Sequence, residues 1–476
     1  MRLILHKRKL ILRDGSLKKP LFLRSYVQFF RGIHLFKPLA YQSRMTFDIK
    51  EHIDTHKMTR LQYATVFICL LMNMLDGMDV MVISYTAPAI VKAWGITPEA
   101  LGIVFSSGLV GMTLGAMFLA PKADVIGRKN MILLSAVLMG ISIFSTSFAQ
   151  SIEFLVVIRL ISGIGIGAML ASTATLTAEY TPNKTKDFWV SFVISGYPIG
   201  AVLSGLVAAK VIPQLGWGTM FQVAGFFTTL AVPLIHFLLS ESLDFYFKAQ
   251  PANALGKANE ILGKMGVTSL SQLPTKPAEQ AAVSFKSMLT EEFKIPTFQL
   301  WGALFMAFAT LYFLTNWIPK LATNAGLSME LAIYAGTVFN LGAFVGIVIQ
   351  GYFSSKYGLK RTIGTFLILT GVLMAAFGWF KGSSWLLVIF GLIGFGIQGG
   401  FVGLYAVAAR MYPTEFRTTG VGWAIGSGRL GGIIGPLLGG VLIGMGLSMT
   451  VNFLIFSIPT IIAGIITIYI SSKRIS

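Results

Sequence analysis

Polar and apolar positions alternate along this chain on a coarse scale. Long apolar runs are separated by short polar turns, and twelve runs are long enough to count as membrane spans. They lie near 61–90, 98–120, 131–150, 152–177, 188–209, 218–239, 297–319, 332–353, 362–380, 385–409, 418–443 and 449–471. About 20 apolar residues rising ~1.5 Å each cover the ~30 Å hydrocarbon core of a bilayer, so every run predicts a crossing helix. Between the sixth and seventh runs, Glu241 to Pro296 carries six lysines and reads as a linker. The predicted plan is an all-α membrane protein of twelve helices in two pseudo-symmetric six-helix halves. Its parts are a basic amino-terminal extension (1–60), one half (61–240), the linker (241–296) and a second half (297–476).

A repeat supports the two halves. Gly127 recurs as Gly358, Gly163 and Gly165 recur as Gly394 and Gly396, and Ala178 to Pro182 aligns with Ala409 to Pro413, all at an offset of 231 residues. Six spans per half make the repeat a parallel one. Two such halves rocking about a site near the midplane is an alternating-access architecture.

Charge sets the expected orientation. With the amino end in the cytoplasm, the inner loops and tails from Met45 onward hold 21 Lys and Arg, against four in outer loops (Lys92, Lys210, Lys320, Lys381). The positive-inside rule requires such a bias and predicts both termini cytoplasmic. Composition agrees with the span pattern: 54% hydrophobic, 12% charged and a mean hydropathy of +0.73 exclude a soluble enzyme. The lone Cys69 and five scattered histidines offer neither a disulfide framework nor a metal site, and no nucleophile elbow or P-loop occurs. No cofactor is expected. Of the net charge of +19, residues 1–44 contribute +10. That block lacks the apolar core of a signal peptide. It reads as a transit peptide, a membrane-surface arm or, preferentially, a translated extension upstream of a start at Met45. Nothing else supports nucleic-acid binding.

Charge inside the spans points to chemistry. Asp76 and Asp79 stand three residues apart in the first span, on one helix face, close enough to share a proton or a counter-ion. Intramembrane acids are costly and usually face a cavity. Asp76 is ~22 Å from the cytoplasmic face and Arg159, in the fourth span, ~10 Å from the outer face, so the two depths nearly coincide; Arg429 in the eleventh span lands near the midplane. A guanidinium matches a carboxylate bidentately. Arg159 or Arg429 would then hold an anionic substrate while an aspartate takes a coupled proton. The alternative for Arg159 is an ion pair with Asp76 or Asp79.

From about Leu61 to Ile470 the chain resembles the major facilitator superfamily, and within it the aromatic acid:proton symporters. Asp76-Gly77-Met78-Asp79 is similar to the symporters' Asp-Gly-aromatic-Asp signature. Ala120 to Lys129 resembles the superfamily's gating loop, departing at Lys122 and at Val125, where the usual Arg is missing; in the second copy Ser355 and Lys356 replace Asp-Arg. Arg159 to Tyr180 and Gly420 to Arg429 also read as family text. The resemblance implies proton symport of a small aromatic carboxylate, 4-hydroxybenzoate or benzoate-like, by a monomer in a bacterial inner membrane.

Gating is expected at Asp124, Gly127, Arg128 and Glu179, where a carboxylate can meet a helix amino terminus or a basic side chain and lock the inner gate; Glu415 with Arg417 is a companion pair. Substrate contacts are expected from Arg159, Arg429, Tyr197 and Trp423, the last because an aromatic face suits a ring. Asn316, Trp317, Asn340, Gln398 and Tyr405 are further candidates. Rival readings are transport of a muconate-like diacid or nicotinate, drug:proton antiport, a membrane prenyl-transfer enzyme and a non-transporting receptor.

Overall fold

A computed structural model describes residues 49–275, 288–380, 385–413 and 416–472. The expectations for residues 1–44, Lys381 and Glu415 lie outside the described residues. Contacts divide the chain into Met1–His52 and Ile53–Ser476. Of the first unit only residues 49–52 are described, and they are helical. All that follows concerns the second unit.

The first six spans are α1 (Arg60–Trp94), α2 (Pro98–Ile126), α3 (Arg128–Thr146), α4 (Ile152–Tyr180), α5 (Lys186–Leu215) and α6 (Trp217–Leu238). Two short linker helices follow, α7 (Leu243–Lys248) and α8 (Ala254–Lys264). The second six spans are α9 (Glu291–Asn324), α10 (Met329–Tyr357), α11 (Leu359–Trp379), α12 (Leu386–Met411), α13 (Arg417–Gly444) and α14 (Met449–Ile468). Each of these twelve is long and apolar enough to cross a membrane. The described residues contain no strand.

Local chemistry sets the boundaries. Thr97, Ser151, Ser328 and Ser448 cap α2, α4, α10 and α14, each side chain accepting from the backbone N–H three residues on. All four caps lie at the same end of the bundle, the one opposite the linker. At the linker end, Gly127 (φ 99°, ψ 150°) and Gly358 (φ 91°, ψ 146°) turn the chain sharply between α2 and α3 and between α10 and α11. A positive φ of this kind favours glycine at both positions. The starts of α1, α2, α3 and α5 recur 231 residues later as the starts of α9, α10, α11 and α13. The repeat read from three landmarks therefore extends through the helical frame.

Within the first half α1 packs on α5, and α4 lies between α2 and α3; within the second, α9 packs on α13, and α12 lies between α10 and α11. Across the halves the main contacts are α2 with α13, α10 with α5, and α1 with α9. The first two pairs are related by the repeat, which gives a pseudo-twofold interface.

That interface is closed at the end opposite the linker. Ser84 donates to the carbonyls of Thr315 and Asn316, both at 2.9 Å, and Ser106 to Ile433 at 2.8 Å. Pro319 has no N–H to give the Thr315 carbonyl, so a hydroxyl from the other half satisfies it. The Trp317 indole, edge-on to Phe105 at 5.2 Å, donates to the Pro436 carbonyl at 3.0 Å. Tyr85, fully buried on α1, donates to the Ala201 carbonyl at 3.0 Å and packs against Gly336 of α10. At the linker end, Asp54 accepts from the Asn183 backbone at 2.6 Å and its amide at 2.8 Å, and both bonds hold the Asp54 carboxyl below the usual carboxylate range.

Candidate functional site

Asp76 and Asp79 face inward because α1 is seated on α5 by an exchange of glycines. A Cβ on Gly77 would overlap the Tyr197 carbonyl, and one on Gly200 would overlap the Met74 carbonyl. This contact gives a packing reason for the glycine between the two acids.

The acids do not share a counter-ion. Asp79, fully buried, accepts from the Arg159 guanidinium through one carboxylate oxygen and from the Ser162 hydroxyl through the other. Ser162 is one turn beyond Arg159 on α4, so a single helix face supplies both donors. Arg159, expected at the substrate, is instead closed on Asp79. Its guanidinium lies along α2 where Gly108 leaves room, 3.6 Å from the position a Cβ would take. Asp76 is also buried, but its Oδ1 has no hydrogen-bond partner. Its charged neighbours are Asp79 on α1, Arg429 on α13 and Arg159 on α4. A small recess lined by Val80, Phe105, Gly108, Arg159 and Asn316 opens beside the pair.

Arg429 is half-buried and, among the described residues, makes neither an ion pair nor a hydrogen bond. Around it the second half presents an aromatic wall. Phe308 stacks on Tyr312 with centroids 6.0 Å apart and meets Phe401 edge-on at 4.6 Å; Phe401 meets Tyr405 edge-on at 5.3 Å. Gly428 and Gly432 of α13 sit against Phe308 and Tyr312, which lets α13 approach α9 closely. Tyr312 and Tyr405 both lie within electrostatic reach of Arg429, while Tyr197 on α5 lies near Tyr312, Asp76 and Asp79.

Trp423 is not brought to this wall. Six residues advance an α-helix by about 600°, which turns Trp423 well away from the face of Arg429. It stacks on Trp301 at 6.2 Å and is 51% exposed. The pairing of that ring with that guanidinium is therefore corrected. Phe308, Tyr312 and Phe401 replace it and were not singled out by sequence; the signal for the first two is the i, i+4 row Phe308, Tyr312, Asn316 on the seventh span, while Phe401 stands on the tenth.

The expected gating residues meet at the linker end. Arg128 is buried, bonded to Asp124 at 2.9 Å and to Glu179 at 3.4 Å; the Asp124 side chain is 73% exposed. Glu179 also accepts from the Ser242 hydroxyl. Sequence reasoning missed Glu241, which organises this corner. Its carboxylate accepts from the Lys129 N–H at 3.1 and 3.2 Å and from the Ser242 N–H at 2.9 Å, while its carbonyl accepts from Tyr180 at 2.6 Å. An anion at the amino terminus of α3 meets free N–H groups and the positive end of the helix dipole. The available signal was an acid just after the sixth span, on the same side as the Gly127-Arg128-Lys129 turn. Glu241→Ala is expected to lose about 1–2 kcal/mol, read as a fall of a few degrees in the melting temperature in detergent. An unchanged melting temperature would mean that water replaces the carboxylate.

The family described as Major Facilitator Superfamily matches residues 69–350 and 300–474. A gallate transporter of Pseudomonas putida is 31% identical over 420 residues, 88% of this chain and 94% of the relative. The 4-hydroxybenzoate transporter PcaK of the same species is 32% identical over 406 residues, 84% of this chain and 90% of the relative. Among solved structures, the crystal structure of a D-xylose-proton symporter superposes with a TM-score of 0.67 at 17% identity, covering 87% of this chain and 98% of that one, and so shares the fold.

Proposed function

Because the chain belongs to the Major Facilitator Superfamily and, within it, to the aromatic acid transporters, we propose that it carries a small aromatic carboxylate across the bacterial inner membrane together with one or more protons. It is an integral membrane protein and a transporter, not an enzyme. The observation that carries the proposal is the pairing of an uncommitted guanidinium, Arg429, with an uncommitted buried carboxylate, Asp76, beside an aromatic wall.

The substrate carboxylate binds Arg429 and its ring lies against Phe308, Tyr312, Phe401 and Tyr405. Tyr197 faces the ring from the first half. Asp76 takes the proton. An ionised carboxylate with an oxygen sealed from donors carries a desolvation cost that a proton removes, and a neutral Asp76 no longer competes for Arg429. Proton and substrate thus favour the same occupied state, which is symport. Arg159 and Asp79 hold each other and fix the geometry of α1 against α4.

On the reading that both termini are cytoplasmic, the interface closed at Ser84, Tyr85 and Trp317 is the outer gate. When the linker ends of the halves approach, the exposed Asp124 carboxylate meets basic groups or a helix amino terminus of the second half, and Arg128, Glu179 and Gly127 hold it in place. The protein works as a monomer, since each chain carries a complete site.

The test is uptake of labelled 4-hydroxybenzoate by proteoliposomes under an inward proton gradient, for wild type and Arg429→Gln. Wild type accumulates label. The variant loses a bidentate, charge-assisted contact and its KM rises about tenfold to a hundredfold. No uptake by wild type would retire this substrate; uptake with an unchanged KM in the variant would remove Arg429 from the site.

A further inference from the structure

Three phenols approach the site, and they are not equivalent. Tyr405 lies within electrostatic reach of Arg429 and Tyr312. Tyr197 lies within electrostatic reach of Asp76 and Tyr312. Tyr312 lies within electrostatic reach of both Arg429 and Asp76.

Its ring is held. Phe308 stacks on it at 6.0 Å, Gly432 of α13 packs at 3.0 Å (to the position a Cβ would take), and the Asn316 amide donates 2.7 Å to its carbonyl, fixing one turn of α9. Its hydroxyl, by contrast, makes no hydrogen bond among the described residues. The register is suitable as well. Asn316 and Val80 line the recess beside Arg159, and Tyr312 and Asp76 are each one turn from those residues, on the same side along two parallel spans. The charged and titratable groups facing this space are Asp76 and Asp79 from α1, Arg159 from α4, Tyr197 from α5, Tyr405 from α12 and Arg429 from α13.

We propose that Tyr312 is the positioning residue that couples the two anions, its single hydroxyl donating to Asp76 when that acid is ionised and to the substrate carboxylate on Arg429 when Asp76 carries the proton. The inference rests on the symport reading above and deepens it. A phenol has one O–H, so it serves one carboxylate at a time. With Asp76 ionised, the substrate carboxylate loses a donor as well as facing a like charge. With Asp76 neutral, the hydroxyl turns to the substrate, whose carboxylate accepts from the Arg429 fork and the phenol together. Competition for one donor then links proton occupancy to substrate affinity without a moving backbone.

The experiment measures 4-hydroxybenzoate affinity of the purified, full-length protein on the acid and alkaline sides of neutrality, for wild type, Tyr312→Phe and Tyr405→Phe. Both substitutions remove only an oxygen. Wild type binds more tightly on the acid side. Tyr312→Phe loses about tenfold in affinity there, the scale of a hydrogen bond to a charged group, and little on the alkaline side, so its pH dependence flattens. Tyr405→Phe, the control on the Arg429 side of the wall, loses affinity equally at both. The inference is overturned if Tyr312→Phe keeps the wild-type ratio between the two conditions, or weakens binding equally in both. A wild type that binds equally at both would instead overturn the symport reading itself.

Discussion

Asp76→Asn is expected to abolish proton-driven accumulation while leaving substrate exchange close to wild type. Asparagine has the shape of a protonated aspartate but cannot release or take a proton, so it fixes the site in its substrate-accepting state. A gradient of one pH unit supplies about 1.4 kcal/mol per proton, which is a tenfold accumulation ratio for one coupled proton. In the variant that ratio collapses to one. Counterflow, in which labelled substrate enters proteoliposomes preloaded with unlabelled substrate and no gradient, requires only binding and alternation, and it persists. The fold should tolerate the change, because among the described residues the carboxylate it replaces makes no ion pair and its Oδ1 has no donor. Loss of both activities would make Asp76 a structural group. Retention of both would move the coupling site elsewhere.

The helical frame was legible because its determinants are local and periodic. Every span is an apolar run long enough to match the hydrocarbon core of a bilayer, and the caps at Thr97, Ser151, Ser328 and Ser448 stand at the turn boundaries. The site was legible in its charges, since an acid or an arginine within such a run is visible by contrast. Its pairings were not. Whether Arg159 chooses Asp76, Asp79 or a substrate depends on which face of α4 meets α1. Ser162, which settles the choice by donating to the second oxygen of Asp79, is an ordinary residue in the sequence. Trp423 was misread because nearness along a helix is not nearness around it. Glu241 and Tyr312 were overlooked because their partners lie far away in the chain.

The repeat explains where chemistry and frame part company. Ser84 and Thr315 are 231 residues apart, so the clasp between them joins equivalent positions of the two halves and lies on the pseudo-twofold axis. A gate can be symmetric in this way. The site is not: at the same offset Asp76 faces Ala307, Asp79 faces Thr310, Arg159 faces Phe390 and Arg429 aligns with Pro198. Each charge occurs in one half only. The first half holds the acids and their locked arginine, the second the free arginine and most of the aromatic wall, and the site proposed for the substrate lies where the two inventories meet.

That division makes Asp79 the sharper test of what is structural. Asp79→Asn is expected to destabilise the protein by about 3–5 kcal/mol, because it leaves the buried Arg159 without its counter-ion. The variant should express poorly or melt well below wild type in detergent, and an absence of uptake from it would say nothing about protons. Asp79→Asn combined with Arg159→Gln removes both charges and keeps groups that hydrogen-bond, so most of the stability returns. The folded double variant should still accumulate substrate under a proton gradient, since Asp76 is untouched and Arg429 still binds the carboxylate. A double variant that is as stable as wild type and exchanges substrate, yet no longer accumulates it, would place the coupled proton on Asp79. One that stays unstable would mean that Arg159 is held by more than Asp79, with Gly108 and the backbone of α2 the contacts to examine next.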